Sequence, residues 1–326
     1  MAAVAQAAGR GRVTRRRPAR ARLRHRLTVA SFVAPAALGI TIFFIYPLIS
    51  AVYFSFTRFD LLTPPEWVGL RNYRHILDDP YLHRAAANTL WLVVVLVPAR
   101  MLGGLGSAML LTALRRGKGI YRTIFYLPAL APPVAATLAF VYVLKPGVGP
   151  VNTLLSYIGI DGPLWFNSAT WAKPSLVLLG LWGVGDVMIL YLAALLDVPT
   201  EHYEAAALDG ANAWQRFRHV TLPATSPVIL FTAVIGVITT LQYFTQAAVA
   251  ASAASNQATV GSGISDNFGY PAGSTFTFPL WLYQVGFRYN AFGYANALAV
   301  VLFVVAFAVT LTLLRRSRTL TSEGSS

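Results

Sequence analysis

Six long apolar runs alternate with polar connections along this chain. They cover about residues 27–56, 88–114, 120–144, 174–196, 224–250 and 291–314. About 20 consecutive apolar residues suffice for a helix to cross the hydrocarbon core of a bilayer, and each run reaches that length. The pattern therefore predicts an all-α polytopic membrane protein with a bundle of six transmembrane helices.

Prolines modify two of these predicted helices. Pro47 lies in the first run, where we expect a tilt or a kink. The third run contains Pro128, Pro132 and Pro133, and neighbouring helices must satisfy the backbone groups that prolines free within a membrane. We expect this helix to be broken or bent and packed inside the bundle. Two short amphipathic helices are expected in the connections, at about 73–77 and 151–159.

Composition supports a membrane protein and restricts its chemistry. Of the 326 residues, 56% are hydrophobic and 12% are charged, about half the charged fraction of a soluble domain. The chain has no cysteine, which excludes disulfides, thiolate metal sites and cysteine nucleophiles. Its five histidines are scattered and mostly in loops. We therefore expect no metal, no cofactor and no enzymatic activity.

Basic residues are distributed unevenly between the two sides of the predicted bundle. Eighteen of the 26 Lys and Arg residues lie on the side of the N-terminus, seven lie on the opposite side, and Arg100 lies within a run. Cytoplasmic segments carry the excess of Lys and Arg. This predicts a basic cytoplasmic tail at 1–26, a transmembrane domain at 27–318 and a short polar cytoplasmic tail at 319–326. The charge is explained without nucleic acid, which is not expected as a partner.

The polar connection at 199–223 has strong local helix signals. Thr200 is expected to cap a first helix, and Gly210 can end it in a left-handed conformation. Asn212 and Gln215 have the spacing of a capping box for a second short helix. The charge distribution places this helix–turn–helix on the cytoplasmic surface of the membrane.

This connection resembles the cytoplasmic loop of bacterial ABC importer permeases, which begins with Glu-Ala-Ala, continues to a Gly and closes on Leu-Pro. The residues that carry the resemblance are Glu204, Ala205, Ala206, Asp209, Gly210, Leu222 and Pro223. The run WVGLRNY at 67–73 and the run from 280 into the last span also resemble the carbohydrate importers of the maltose and glycerophosphate type. The outer segment at 247–278 departs from that family, since it lacks the usual Thr-Gly-Gly-Gly-Pro run.

The resemblance implies a MetI-like type I core in the bacterial cell membrane. The loop would be a coupling helix that docks on an ATP-binding cassette subunit. The other implied partners are a second permease subunit in a heterodimer, an extracytoplasmic solute-binding protein and a carbohydrate or polyol substrate. The only P-loop-like string, at 117–119, lacks the Walker spacing, so ATP hydrolysis would belong to another subunit.

Polar groups within the apolar runs are candidates for the translocation pathway. Arg100 and Asp186 are the two intramembrane charges, which either pair with each other or line the pathway. The spacing of a further set predicts one polar face on the fifth helix, for sugar binding or for hydrogen bonding between helices. That set is Thr239, Gln242, Tyr243 and Gln246. Trp182 and Tyr283 are weaker candidates.

Other classes of membrane protein fit the chain less well. A gradient-driven secondary transporter would be expected to show paired intramembrane carboxylates and inverted repeats, whereas Asp186 is the single intramembrane carboxylate. An integral membrane enzyme would need clustered His, Asp or Glu residues. An ABC permease for a non-sugar solute stays open.

Overall fold

The computed structural model describes residues 19–114, 116–255 and 269–322, with side chains from 28 to 315 within these ranges. Most of the predicted basic tail at 1–26, the end of the polar tail at 319–326 and the middle of the outer segment at 247–278 lie outside the described residues. The chain divides into two compact units, Met1–Tyr53 and Phe54–Ser326.

The first predicted span is a continuous helical segment with one irregular turn. It consists of α1 (Ala19–Ile40), a π-helical turn (Thr41–Ile45) and α2 (Tyr46–Ser55). The π-helical turn ends at Ile45, two residues before Pro47, whose missing N–H interrupts the regular hydrogen-bond ladder. Helix α1 begins within the segment that the sequence assigns to the tail.

The second unit begins with a two-stranded antiparallel hairpin and continues as helices. The strands are β1 (Thr57–Arg58) and β2 (Glu66–Trp67), with Thr57 paired to Trp67. The first half of the helices comprises α3 (Arg71–Asp78), α4 (Pro80–Ala113), α5 (Lys118–Tyr126), a 3-10 turn (Leu127–Leu130), α6 (Pro133–Val143), α7 (Pro150–Tyr157), a 3-10 turn (Trp165–Asn167), α8 (Ala172–Trp182) and α9 (Gly185–Leu196). Helices α3 and α7 confirm the two short helices expected in the connections.

The remaining helices include two further π-helical turns. They are α10 (Thr200–Leu208), α11 (Ala213–Arg216), a π-helical turn (Phe217–Thr221), α12 (Leu222–Leu241), α13 (Thr245–Ala254), α14 (Phe278–Tyr283), a π-helical turn (Gln284–Arg288) and α15 (Phe292–Ser322). The described residues are mostly helical, as the sequence predicts, and the short β hairpin departs from the expected all-α structure.

Four of the described helical segments are long and apolar enough to cross a membrane: Thr28–Ser55, Pro80–Ala113, Ala213–Leu241 and Phe292–Arg315. Two bent pairs raise the number to six if each pair forms one span. The α5–α6 pair bends by 100°, and the α8–α9 pair bends by 47°. The expected break in the third span is confirmed, but none of the described side chains of α5 is buried. The fourth span, expected to be one helix, is bent.

Helix α4 is the centre of the second unit, and it packs against α8, α9, α12 and α14. Its N-terminal half contributes Leu92 and Leu96 to a large buried cluster with α8, α13, α14 and α15. Its C-terminal half contributes Leu105 and Leu111 to a smaller cluster with α9. Arg100 lies on α4 between these two apolar clusters.

Candidate functional site

The ion pair between Arg100 and Asp186 joins α4 to α9. Arg100 Nη2 donates to both carboxylate oxygens of Asp186, at 2.7 and 2.8 Å, and lies 3.5 Å from the carbonyl oxygen of Gly183. Asp186 stands in the first turn of α9, where a carboxylate is favoured by the helix dipole. The pairing that the sequence offered as one alternative is present, and it leaves a pathway role open.

Three helix interruptions meet at one cavity beside this ion pair, which we name the break cavity. The α5–α6 segment bends at Ala131, the α8–α9 segment bends at Gly183, and the helical run of α12 ends just before Tyr243. All three of these residues line the break cavity, which has a volume of about 170 Å³. In membrane transporters, irregular backbone within the membrane is tolerated where it lines a cavity.

The break cavity has a mixed polar and apolar wall. Its polar side chains are those of Arg100, Asp186, Thr137, Tyr243 and Gln246, and its aromatic wall includes Trp182. Trp182 is 43% exposed, and its ring centroid lies 5.5 Å from that of Phe140 on α6. An amide, a carboxylate and aromatic faces are groups that can hold a polyhydroxylated solute.

A second cavity of about 170 Å³ lies between α4, α9 and α12 and is more apolar. We name it the α12 cavity. Thr239 lines it, as do Arg100 and Asp186. The Thr239 hydroxyl donates to the carbonyl oxygens of Ile235 and Gly236, at 2.9 and 3.1 Å. Within the described residues, Arg100 and Asp186 are the only charged side chains that line either cavity.

The single polar face expected on the fifth helix is wrong. Helix α12 ends at Leu241, and α13 begins at Thr245, so the four expected residues do not follow one helical register. Gln242 is exposed and lines neither cavity, whereas Tyr243 is buried and lines the break cavity with Gln246. The carbonyl oxygen of Tyr243 accepts a hydrogen bond from the Thr277 hydroxyl at 2.9 Å. Thr277 is distant in sequence, so no local sequence pattern predicts this hydrogen bond.

Sequence reasoning missed several residues of the break cavity. Thr137 lies on α6 directly beyond the 100° bend, and its local signal is the Pro132–Pro133 pair that starts this helix. The interruption between α8 and α9 falls at Gly183–Val184–Gly185. A pair of glycines separated by one residue in an apolar run is a detectable signal for such a bend.

The connection between the fourth and fifth spans forms one short helix followed by a turn. Helix α10 ends at Leu208, and Gly210 takes a left-handed φ of +79°, as expected. Asn212 and Gln215 form the expected capping box, with bonds of 2.9 and 2.8 Å. Thr200 does not cap α10 as expected: it is the first helical residue, and Pro199 occupies the cap position without a side-chain bond.

The second short helix of this connection is not a separate element. Helix α11 continues through the π-helical turn into α12, so Ala213–Leu241 is one helical segment. Leu222 and Pro223 begin α12 within this continuous segment, and Pro223 is compatible with helix where the π-helical turn has just shifted the hydrogen-bond register. The Tyr203 hydroxyl lies 3.1 Å from Thr221 Oγ1, and this contact joins α10 directly to the Ala213–Leu241 segment.

Helix α10 and its turn present an accessible surface. None of the described side chains of α10 is buried, and Glu204, Ala205 and Asp209 are exposed. Leu208 is 90% exposed, which is unusual for a large apolar side chain beside small residues. At Ala205 and Gly210 the surface can accept a partner at close range, because these residues have small side chains or none.

Known proteins match this chain over most of its length. Residues 101–319 match the family described as binding-protein-dependent transport system inner membrane component. The sulfoquinovosyl glycerol transport system permease protein SmoG of Agrobacterium fabrum is 32% identical over 297 residues, covering 90% of this chain and 91% of SmoG. The arabinooligosaccharides transport system permease protein AraP of Bacillus subtilis is 32% identical over 301 residues, covering 90% and 89%.

A solved structure shares the fold. One chain of the crystal structure of a bacterial ABC transporter involved in the import of the acidic polysaccharide alginate matches with a TM-score of 0.78. The match covers 92% of this chain and 98% of that chain at 23% sequence identity. At this identity the likeness concerns the fold alone.

Proposed function

The chain belongs to the family of binding-protein-dependent transport system inner membrane components, and we propose that it is one of two permease subunits of an ATP-driven ABC importer for a carbohydrate or polyol. The observation that carries the proposal is the break cavity, because a transport family and three helix interruptions around one polar cavity together point to a solute pathway. The protein lies in the bacterial cell membrane with both termini in the cytoplasm.

The carbohydrate class is supported by the relatives and by the chemistry of the cavity. SmoG and AraP are named for the transport of sulfoquinovosyl glycerol and of arabinooligosaccharides. In the break cavity, Gln246 offers amide donors and acceptors, and Tyr243 and Trp182 offer aromatic surface. Sugars combine hydroxyl groups with apolar ring faces, so these groups suit them.

A second permease subunit is supported by surfaces that this chain leaves uncovered. The break cavity is smaller than the roughly 300–1,000 Å³ of typical ligand pockets, so another chain would supply the rest of the wall. Large apolar side chains of α5 and of the turn that follows are exposed, among them Ile120, Ile124, Leu127 and Leu130. A membrane-embedded partner or lipid would cover them.

Coupling to ATP hydrolysis is assigned to the connection at 199–223. Glu204, Ala205, Ala206, Asp209 and Gly210 form the docking surface for an ATP-binding cassette subunit. Leu222 and Pro223 lie where the Ala213–Leu241 segment enters the membrane. Since Ala213–Leu241 is one helical segment, a movement of the docked loop would reach Thr239 and the end of α12 without a flexible joint. An extracytoplasmic solute-binding protein would deliver the solute at the opposite side.

The test is reconstitution of the chain with its co-encoded permease, ATPase and binding protein in proteoliposomes. Binding protein loaded with a carbohydrate is expected to stimulate ATP hydrolysis and carbohydrate uptake. An Ala205→Trp variant should lose both, because the indole prevents close docking, whereas Ala205→Ser should retain both. Full uptake by Ala205→Trp would reject the docking surface, and stimulation by none of the carbohydrates tried would reject the substrate class.

A further inference from the structure

Arg100 and Asp186 are not equally accessible, although they form one ion pair. The Asp186 side chain is 54% exposed, and the Arg100 side chain is 28% exposed. Arg100 Nε is buried without a hydrogen-bond partner among the described residues, so this edge of the guanidinium does not face the cavities. A solute that reaches this ion pair therefore contacts more of the carboxylate than of the guanidinium.

The carboxylate also keeps an unused acceptor position. Asp186 Oδ1 accepts from Arg100 Nη2 and from the backbone N–H of Val187, both at 2.7 Å. Asp186 Oδ2 accepts from the same Nη2 at 2.8 Å. Each carboxylate oxygen can accept about two hydrogen bonds, so Oδ2 has room for one more donor among the contacts that the structure describes.

We propose that Asp186 is a specificity-determining residue that accepts a hydroxyl of an uncharged sugar unit and disfavours acidic sugar units. This inference rests on the proposed function and names the class of substrate that the pathway takes. A sugar hydroxyl donates to Asp186 Oδ2, whereas a sugar carboxylate would meet a second negative charge there. Apart from Arg100, which is already paired with Asp186, no charged side chain among the described residues lines either cavity to compensate it.

The way in which Arg100 contacts Asp186 supports this assignment. One nitrogen of Arg100 serves both oxygens of Asp186, so the cation is committed to its partner and its Nε points away from solute. An anionic solute would have to share the guanidinium with Asp186, whose negative charge already balances it. A neutral solute can bind the outer side of Asp186 while the pair stays intact.

The test measures solute binding to the assembled permease–ATPase complex in detergent, without the solute-binding protein and its own selectivity. Titration calorimetry at pH 7 with arabinotriose and maltotriose as neutral probes and with trigalacturonic acid as the acidic probe compares the two classes. At least one neutral probe is expected to bind about tenfold or more tightly than trigalacturonic acid. Asp186→Asn should weaken neutral binding about tenfold and bring the two classes close together.

Thr312→Val provides the matched control, because this exposed hydroxyl on α15 lines neither cavity and donates to the Ala308 carbonyl of its own helix. It should leave the neutral-to-acidic ratio unchanged. Acidic binding as tight as neutral binding in the unmodified complex would overturn the inference, even if Asp186→Asn fails to assemble. An unchanged ratio in an assembled Asp186→Asn complex would also overturn it. If carbohydrate-loaded binding protein does not stimulate ATP hydrolysis at all, the proposed function fails instead.

Discussion

Gln242 and Gln246 are chemically identical side chains four residues apart, yet the structure gives them different surroundings. Gln246 lines the break cavity, whereas Gln242 is exposed at the end of α12 and lines neither cavity. A regular helix would have placed both on one face. The interruption between α12 and α13 separates them, and it makes them a matched pair for testing the pathway.

Gln246→Ala is expected to lower the affinity of the complex for its sugar about two- to tenfold, because one hydrogen bond is lost. Gln242→Ala removes the same amide outside the cavities and should leave affinity unchanged. Sugar uptake at several concentrations in proteoliposomes separates the two variants through KM. Equal effects of the two substitutions would show that the cavity wall does not contact the sugar.

Asp79 is a second residue whose importance the sequence does not show. It is 3% exposed, and its oxygens accept four bonds: Oδ1 from the backbone N–H groups of Tyr81 and Leu82, and Oδ2 from Trp281 Nε1 and the Tyr294 hydroxyl. It thereby caps α4 and ties it to α14 and α15. The neighbouring Asp78 is exposed, and composition alone does not separate these two carboxylates.

Asp79→Asn is expected to destabilise the protein by about 1–3 kcal/mol, because the new amide nitrogen faces groups that donate and leaves buried donors without an acceptor. Asp78→Asn is the control and should have little effect. Thermal unfolding of the purified protein in detergent measures both. A melting temperature of Asp79→Asn equal to that of Asp78→Asn would show that this network does not stabilise the fold.

At the scale of elements, apolar length predicts where helices lie better than where they break. The three prolines of the run at 120–144 predict a break, because each removes a backbone donor, and a 100° bend is present. The end of α12 could not be expected in the same way, since Gln242–Tyr243–Phe244 contains neither Gly nor Pro. That interruption is stabilised by Tyr243 burial and by the Thr277 bond, which exist only once distant segments have met.

Packing at the α8–α9 bend depends on Gly185. A Cβ at this position would lie 2.7 Å from Tyr126 Cα and would also meet the backbone carbonyl of Phe125. Backbone atoms cannot move aside as a flexible side chain can, so Gly185→Ala is expected to separate α9 from α5 at a cost of about 1–3 kcal/mol. Gly106→Ala on α4 has open space around its Cβ and serves as the control.

The Gly185→Ala variant should show a lower melting temperature and reduced transport, whereas Gly106→Ala should match the unmodified protein in both. Because Gly185 adjoins Asp186, transport also reports whether the ion pair keeps its geometry. Unchanged melting of Gly185→Ala would mean that α5 and α9 are not packed this closely in the membrane.

The capping box at the start of α11 is an element-scale test of coupling. Asn212→Ala removes the acceptor for the Gln215 backbone N–H and should destabilise this helix start by about 1 kcal/mol. We expect ATP hydrolysis per sugar transported to rise, because the docked loop would no longer be held rigidly to the Ala213–Leu241 segment. Asn212→Ser keeps a capping oxygen and should preserve the ratio; a normal ratio in Asn212→Ala would show that the cap is dispensable for coupling.

At the scale of the whole molecule, the family and the helical segments establish a transport permease, and the orientation rests on charge. Eighteen basic residues on the side of the N-terminus against seven on the other predict that Glu201 lies in the cytoplasm and Asp161 outside. Both side chains are exposed. The chain has no cysteine, so a single introduced thiol reports its own position without a background to remove.

Glu201→Cys and Asp161→Cys are therefore expected to label with a membrane-impermeant maleimide from opposite sides. In intact cells with a permeable outer envelope, Asp161→Cys should react and Glu201→Cys should not. In inside-out vesicles the result should reverse, and detergent should make both thiols reactive. Docking of the ATPase should further protect Glu201→Cys in vesicles, since this residue lies in the first turn of α10. Labelling of Glu201→Cys from outside intact cells would reverse the orientation and remove the coupling role of the connection at 199–223, because no cytoplasmic ATPase could reach it.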